Sequence, residues 1–184
     1  MMTMSKERYY YTENEIKELL KSAVVLCDSR EQKNGHILAA FNRLKIAHKG
    51  MALSFGDYSI ALPARPEAGI IRDMYFDKAI MIERKNSLDE LAGCFTASRE
   101  RFKDELIRGG TARKYLLVED GPGYEAIFRH NYQSKLSEKS FLASLLSFQA
   151  RYDLNVIFAE PERAGEIIWS LLYYHMRGWL LGEG

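Results

Sequence analysis

Cysteine is scarce: Cys27 and Cys94 are the only two in 184 residues. They lie far apart and outside any CxxC or Cys/His ligand spacing, so neither a disulfide framework nor a zinc site organises the chain. A reducing, cytoplasmic setting is the corresponding expectation. Long apolar runs are also missing. The N-terminus MMTMSKERYYYTENE carries charges where a signal peptide needs its apolar stretch, and no run is long enough to span a bilayer, so a soluble protein is expected. With four prolines in all, no linker rich in Gly, Ser or Pro marks a domain boundary, and there is no repeat or low-complexity tract. An excess of one charge is absent too. Lys and Arg number 26 against 25 Asp and Glu, which excludes a uniformly basic coat and leaves attraction to phosphate to local patches. One such stretch runs from Arg30 to Lys49, where Arg30, Lys33, Arg43, Lys45 and Lys49 face a single acid, Glu31. It suits a phosphate backbone or the solvated face of a helix, and charge alone favours the second.

What is present is ample apolar material. At 47% hydrophobic composition the chain has enough for one sizeable core. Residues 1–11 read as a leader, and Thr12 with Glu15 offers a capping box for a helix to about Lys21. AVVLCD at 23–28 reads as a buried strand. Ile37, Leu38, Phe41, Leu44 and Ile46 predict a helix over Gly35 to His48. GMALSFGDYSIAL reads as strand, break and strand, and PARPEAG as the tip of a hairpin. IIRDMYF and AIMIERK flank a turn near Asp77. Helical pattern from Leu88 to Arg108, interrupted near Cys94 to Ser98, precedes the strand KYLLVED. A helix over Glu138 to Tyr152, the strand LNVIFAE and a helix from Pro161 to about Leu180 follow. This alternation implies an α/β fold, a sheet with helices on both faces. The division expected is a leader and short helix at 1–22 and one domain at 23–184.

Chemistry concentrates in AIMIERKNSLDEL at 79–91. Side chains on a strand alternate faces, so Glu83 and Lys85 share one side and Arg84 takes the other. A carboxylate beside an amine at a strand end offers a ligand for a hard cation and a positive group near an attacking water. A cation held through carboxylates calls for a second acid. Asp57, after Gly56 where one strand breaks and the next begins, is the best placed. Asp89 either approaches the same ion or supplies favourable charge at a helix N-terminus. Singly, a Gly-Asp pair is commonly a turn and an ExK pair a solvated salt bridge. The apolar run AIMI before Glu83 shifts the balance, because unpaired charge on an interior strand is costly.

These residues carry a resemblance. Asp28-Ser29-Arg30-Glu31, then Gly56-Asp57, then Glu83-Arg84-Lys85 with Asp89 four residues on, resembles the D-x-R-E, G-D and E-R-K-x-x-x-D series of the XPF family of structure-specific endonucleases, within the PD-(D/E)XK superfamily. It spans roughly residues 23 to 120, and the ERKxxxD element is its specific part. The resemblance implies a restriction-endonuclease-like fold with a central mixed sheet. It also implies Mg²⁺ or Mn²⁺ surrounded by Asp57, Glu83 and Asp89, with Asp28 at a strand end near the site as a further metal-site acid, Lys85 positioning or activating water, and Arg84 as the motif arginine of the catalytic group. Arg30 and Glu31 match the first motif, Arg30 facing either substrate phosphate or an internal acid. The basic element after the motif helix falls on Arg99, Arg101 and Lys103, with Arg99 and Arg101 both fitting its register. Many members continue into helix-hairpin-helix modules, which this chain ends too soon to contain. The segment between Gly56 and Glu83 is longer than the family's simplest hairpin, and reads as a surface insertion.

The implied activity is hydrolysis of DNA phosphodiesters, at branched, flapped or otherwise structured DNA. The alternative is an inactive XPF-like module that holds DNA or a partner. Family members commonly pair, and the apolar surface of the last helix, with Ile167, Ile168, Leu171, Leu172, Tyr174 and Met176, suits a homodimer. Tyr9, Tyr10 and Tyr11 form an aromatic run that near a terminus more often packs locally than stacks on bases. His36, His48, His130 and His175 show no metal-ligand spacing.

Overall fold

Apolar periodicity sets most of the element boundaries in the computed structural model, which describes residues 11–183. Apart from Tyr11, the leader and the tyrosine run lie outside the described residues. Tyr11 donates its hydroxyl to the Ala68 carbonyl. The capping box is present: the Thr12 side chain accepts from Glu15 N–H, the Glu15 carboxylate accepts from Thr12 N–H, and α1 runs Glu13–Ser22. Its buried Ile16, Leu19 and Leu20 enter the same core as the sheet.

The strands are β1 (Val24–Asp28), β2 (Ala47–Met51), β3 (Tyr58–Leu62), β4 (Met74–Tyr75), β5 (Ile80–Lys85), β6 (Arg113–Glu119) and β7 (Leu154–Ala159). They form one mixed sheet in the order β2-β1-β3-β5-β6-β7, with β4 beside β3. β1 and β2 are parallel, as are β5, β6 and β7, while β3 runs antiparallel to both β1 and β5. Helices α1, α2 (Gly35–Arg43) and α7 (Pro161–Leu180) cover one face. On the other lie α3 (Leu88–Phe95), α4 (Arg99–Arg108), α5 (Tyr124–Phe128) and α6 (Glu138–Tyr152). This is the expected α/β architecture of restriction-endonuclease type, with the sheet between two helical layers.

Two expectations are corrected. The helix that starts at Gly35 ends at Arg43 and does not reach His48. Lys45 takes a left-handed conformation (φ 57°), and Ile46 N–H closes onto the Phe41 carbonyl, which terminates the helix. Ala47–Met51 then pairs with β1 as an exposed edge strand. IIRDMYF, expected to flank the turn near Asp77 together with AIMIERK, contributes only Met74–Tyr75 to the sheet. The hairpin tip holds one 3₁₀ turn, Pro66–Ala68, closed by an Arg65–Ile70 bridge.

The two faces have separate cores. Ile80 and Ile82 of β5 join Val25, Ile60 and Leu117 under α1, α2 and α7. Leu116 and Val118 of β6 join Phe95, Phe102, Phe141 and Phe148 on the opposite face, where rings meet edge to face or stacked. Since β5 alternates, Glu83 and Lys85 fall on the aromatic side and Arg84 on the other.

Candidate active site

Strand directions bring the motifs together. Tyr58 is the register partner of both Cys27 on β1 and Ile82 on β5. The residue before it, Asp57, therefore sits between the carboxyl ends of β1 and β5, beside Asp28 and Glu83. Backbone bonds close the arrangement: Asp28 N–H donates to the Asp57 carbonyl (2.7 Å) and Asp57 N–H to that of Ile82 (2.9 Å). Gly56 makes the turn possible. Its φ is 68°, and a Cβ there would lie 3.1 Å from the Cβ of Met81, so any other residue would be both strained and crowded.

Asp57 accepts a single hydrogen bond, from Arg84 N–H to Oδ2 (2.7 Å), and its Oδ1 has no donor among the described residues. Burial first, then the like charge of Glu83, hold its carboxyl well above the usual range, against the pull of Arg84 N–H and Lys85. Glu83 is 3% exposed. Lys85 Nζ donates to its Oε1, while Oε2 is buried without a partner. Burial pushes Glu83 up to about 7, opposed by Lys85 and reinforced by Glu105. Burial works against the charge on Lys85, yet Glu83 and its neighbours outweigh that and hold the ammonium above its ordinary range. The same Nζ lies 5.6 Å over the Phe102 ring.

The buried Glu83 and the half-buried Asp57, whose charge Glu83 disfavours, each have an oxygen lacking a donor among the described residues, and together they fit a divalent cation. Among the described residues no three acidic, histidine or cysteine side chains converge closely enough to hold an ion by themselves. That suits Mg²⁺, which keeps several waters and takes one or two carboxylates plus substrate phosphate.

The other expected residues divide. Asp28 is saturated: Arg30 N–H and Nε–H donate to Oδ1, and Arg30 Nη2 and Leu53 N–H to Oδ2. Burial would raise it, but these bonds win and hold it below the usual range. Arg30, though paired, keeps 70% of its side chain exposed. Asp89 turns away, its Oδ1 accepting from Gln133 and Ser134 N–H in the loop before α6. Its neighbour Glu90 instead exerts charge on Glu83 and caps Asn86 N–H. Arg84 is 4% exposed and lies between Glu119 (3.0 Å) and Glu31 (3.5 Å), donating also to the Lys33 carbonyl. His36 binds the other oxygen of Glu119 at 2.7 Å. On α4 the guanidinium of Arg99 packs 5.0 Å over Phe148, whereas Arg101 is exposed and Lys103 pairs with Glu100. Beside the site an open cleft of about 470 Å³ is lined by Arg30, Glu31, Gln32, Lys33, Arg84, Asn86 and Glu90.

Sequence reasoning missed Glu119, Glu90 and Glu105. Glu119 ends the strand KYLLVED, where its charge on a buried strand was a readable sign. Glu105 gave a fainter one, a carboxylate between buried Phe102 and Leu106 on one helix.

No curated protein matches the chain. Solved structures share its fold, and two of them are these. XPF from Aeropyrum pernix superposes with a TM-score of 0.57 at 21% identity, covering 83% of this chain and 61% of that one. XPF from Aeropyrum pernix in complex with DNA gives 0.60 at 19% identity, over 84% and 65%. The chain thus spans less than two thirds of either. The ERCC4 domain model matches residues 27–168, which include Asp28, Asp57 and Glu83. Because that match takes in most of the chain, from the end of β1 through β7, the chain belongs to the ERCC4 domain family.

Proposed function

We propose that residues 23–184 form an XPF-type nuclease domain that hydrolyses DNA phosphodiester bonds with Mg²⁺ or Mn²⁺, at branched, flapped or otherwise structured DNA. One observation carries this reading: the half-buried Asp57 lies beside Glu83, whose buried Oε2 is left unsatisfied, and Lys85 bonds to Glu83 beside them. The ERCC4 family is a nuclease family, which supports the reaction class. A similar structure, XPF from Aeropyrum pernix, is a complex with DNA, which supports the substrate class.

Asp57 and Glu83 hold the cation, which when bound supplies positive charge to the phosphoryl oxygens as negative charge develops on them. Lys85, with its proton affinity raised, stays an ammonium at neutral pH. It therefore orients the attacking water and offsets charge, and does not act as a base. Arg84 N–H fixes Asp57 Oδ2, while the Arg84 side chain ties Glu31 to Glu119. Asp28 holds Asp57 through the backbone, and Arg30, clamped by Asp28 yet exposed, presents its guanidinium to a substrate phosphate beside the cleft. Arg101, exposed on α4, meets the DNA backbone. Along α7, Trp169, Leu171 and Tyr173 are half-buried and Tyr174 is 68% exposed, a surface suited to a second copy. No helix among the described residues is long and apolar enough to cross a membrane.

The test is a panel of labelled single-stranded, duplex, flap and fork DNAs incubated with and without Mg²⁺. Cation-dependent cleavage by the wild type that is lost in Asp57→Asn is expected. Binding of forked DNA with no cleavage under any divalent cation would leave only a DNA-holding module.

A further inference from the structure

Unpartnered polar groups gather in the cleft beside the acids. Residues 30–33 follow the end of β1 and Asn86 follows the end of β5, so the cleft opens at the same sheet edge as Asp57 and Glu83. The Lys33 ammonium and the side-chain amides of Gln32 and Asn86 have no hydrogen-bond or ion-pair partner among the described residues. Arg84 also lines the cleft, and its Nε is buried without a hydrogen-bond partner. Two carboxylates complete the wall. Glu31 Oε1 accepts from Lys33 N–H (2.8 Å) and Glu90 Oε2 from Asn86 N–H (2.9 Å), while the second oxygen of each has no donor among the described residues. A bare phosphate would be repelled by these two acids, and no aromatic ring lines the cleft to stack a base. A nucleotide suits both halves of the lining. Its phosphate meets the cations, and the edge of its base meets the amides and carboxylates. At about 470 Å³ the cleft falls within the range of roughly 300–1,000 Å³ that takes one small ligand. A base enters such a concavity only after leaving the duplex stack.

We infer that this cleft is a subsite for one unpaired nucleotide of the DNA substrate, next to the phosphate held at Asp57 and Glu83. Gln32 and Asn86 read the base edge, and Lys33 with Arg30 meets the phosphate. The inference rests on the structured-DNA reading given above and deepens it, since it makes an unpaired nucleotide at a branch the feature that the domain recognises.

Removing the base separates this role from plain attraction to the DNA backbone. The intact chain is titrated in EDTA, by fluorescence anisotropy, against labelled fork DNAs that carry an abasic residue at each unpaired position near the junction in turn. The wild type should bind one of these forks roughly 10-fold more weakly than the intact fork. The double variant Gln32→Ala, Asn86→Ala should bind the intact fork as weakly as that abasic one, with an unchanged melting temperature, because neither side chain makes a hydrogen bond among the described residues. Lys33→Ala should weaken binding of both forks equally, as loss of a phosphate contact does. Equal wild-type affinity for the intact and every abasic fork would overturn the inference and leave a cleft that meets the backbone alone. A double variant that still tells the two forks apart would overturn it as well. A wild type that binds no fork at all would sink the DNA reading on which the inference stands.

Discussion

Asp28 and Asp57 are the same residue type at adjacent strand ends, joined by one backbone hydrogen bond, and they sit in opposite electrostatic states. Four donors surround the carboxylate of Asp28, and its proton affinity falls. One donor reaches Asp57, Glu83 repels it, and its proton affinity rises. Burial acts on both in the same direction, and the donors together with the neighbouring charge, Arg30 beside Asp28 and Glu83 beside Asp57, separate them. A saturated acid stabilises its surroundings and has nothing left for a ligand. An unsaturated one disfavours its own charge and is available to a cation.

The largest test of this contrast is catalytic. Asp57→Asn should reduce Mg²⁺-dependent cleavage by on the order of 10³-fold, the equivalent of several kcal/mol of lost cation stabilisation, measured by single-turnover cleavage of a labelled fork. Asp28→Asn should be primarily a folding defect. Weakening charge-assisted bonds to Arg30 and Leu53 costs about 2 kcal/mol, discounted for the exposure of Arg30, and urea unfolding would show it as a lowered midpoint. Cleavage lost in Asp28→Asn with unchanged stability would break the comparison.

A pH series sharpens it. The folded-state affinity of Asp57 for protons is raised above its ordinary pKa of 3.8. Its protonated form is therefore the one that folding favours, and the associated stability is present below about that value and lost as pH rises. In EDTA, Asp57→Asn should melt above the wild type at neutral pH, and the gap should close as the pH falls towards the unfolded-state value. A wild type that melts higher at neutral pH would contradict the assignment. Adding Mn²⁺ to the wild type should narrow the same gap, because the cation takes over the role of the proton.

The smallest effect is expected at the periphery. Arg101→Ala removes one phosphate contact from the exposed face of α4, so the slope of log affinity against log salt should decrease by about 0.9 for duplex DNA. Arg99→Ala should leave that slope unchanged and lower stability instead, since its guanidinium lies against Phe148. Filter binding across a salt series distinguishes the two arginines, which the motif spacing left equivalent.

Much of the fold was legible because buried strands such as AIMI and KYLLV and the helix at 161–180 carry strong apolar patterns. The failures share a cause. AHKGM is an exposed edge strand with no apolar stripe, and it forms because β1 offers it hydrogen bonds. The five-residue helix Tyr124–Phe128 was too short to read. At the site, alternation along β5 was enough to place Glu83 and Lys85 together and Arg84 apart. The same arithmetic left Asp89 undecided between ion and helix terminus, and its carboxylate goes to the 133–134 loop.

The sequence by itself determined the periodicities, hence the layers, the order of the strands' polar ends and the family motif, because local spacing governs which side chains share a face. Tertiary structure alone decided which acids remain unsatisfied. Whether a carboxylate meets four donors, as Asp28 does, or one, as Asp57 does, depends on residues up to 27 positions away along the chain, and proton affinity follows from burial, neighbouring charge and those partners together, not from the residue type itself.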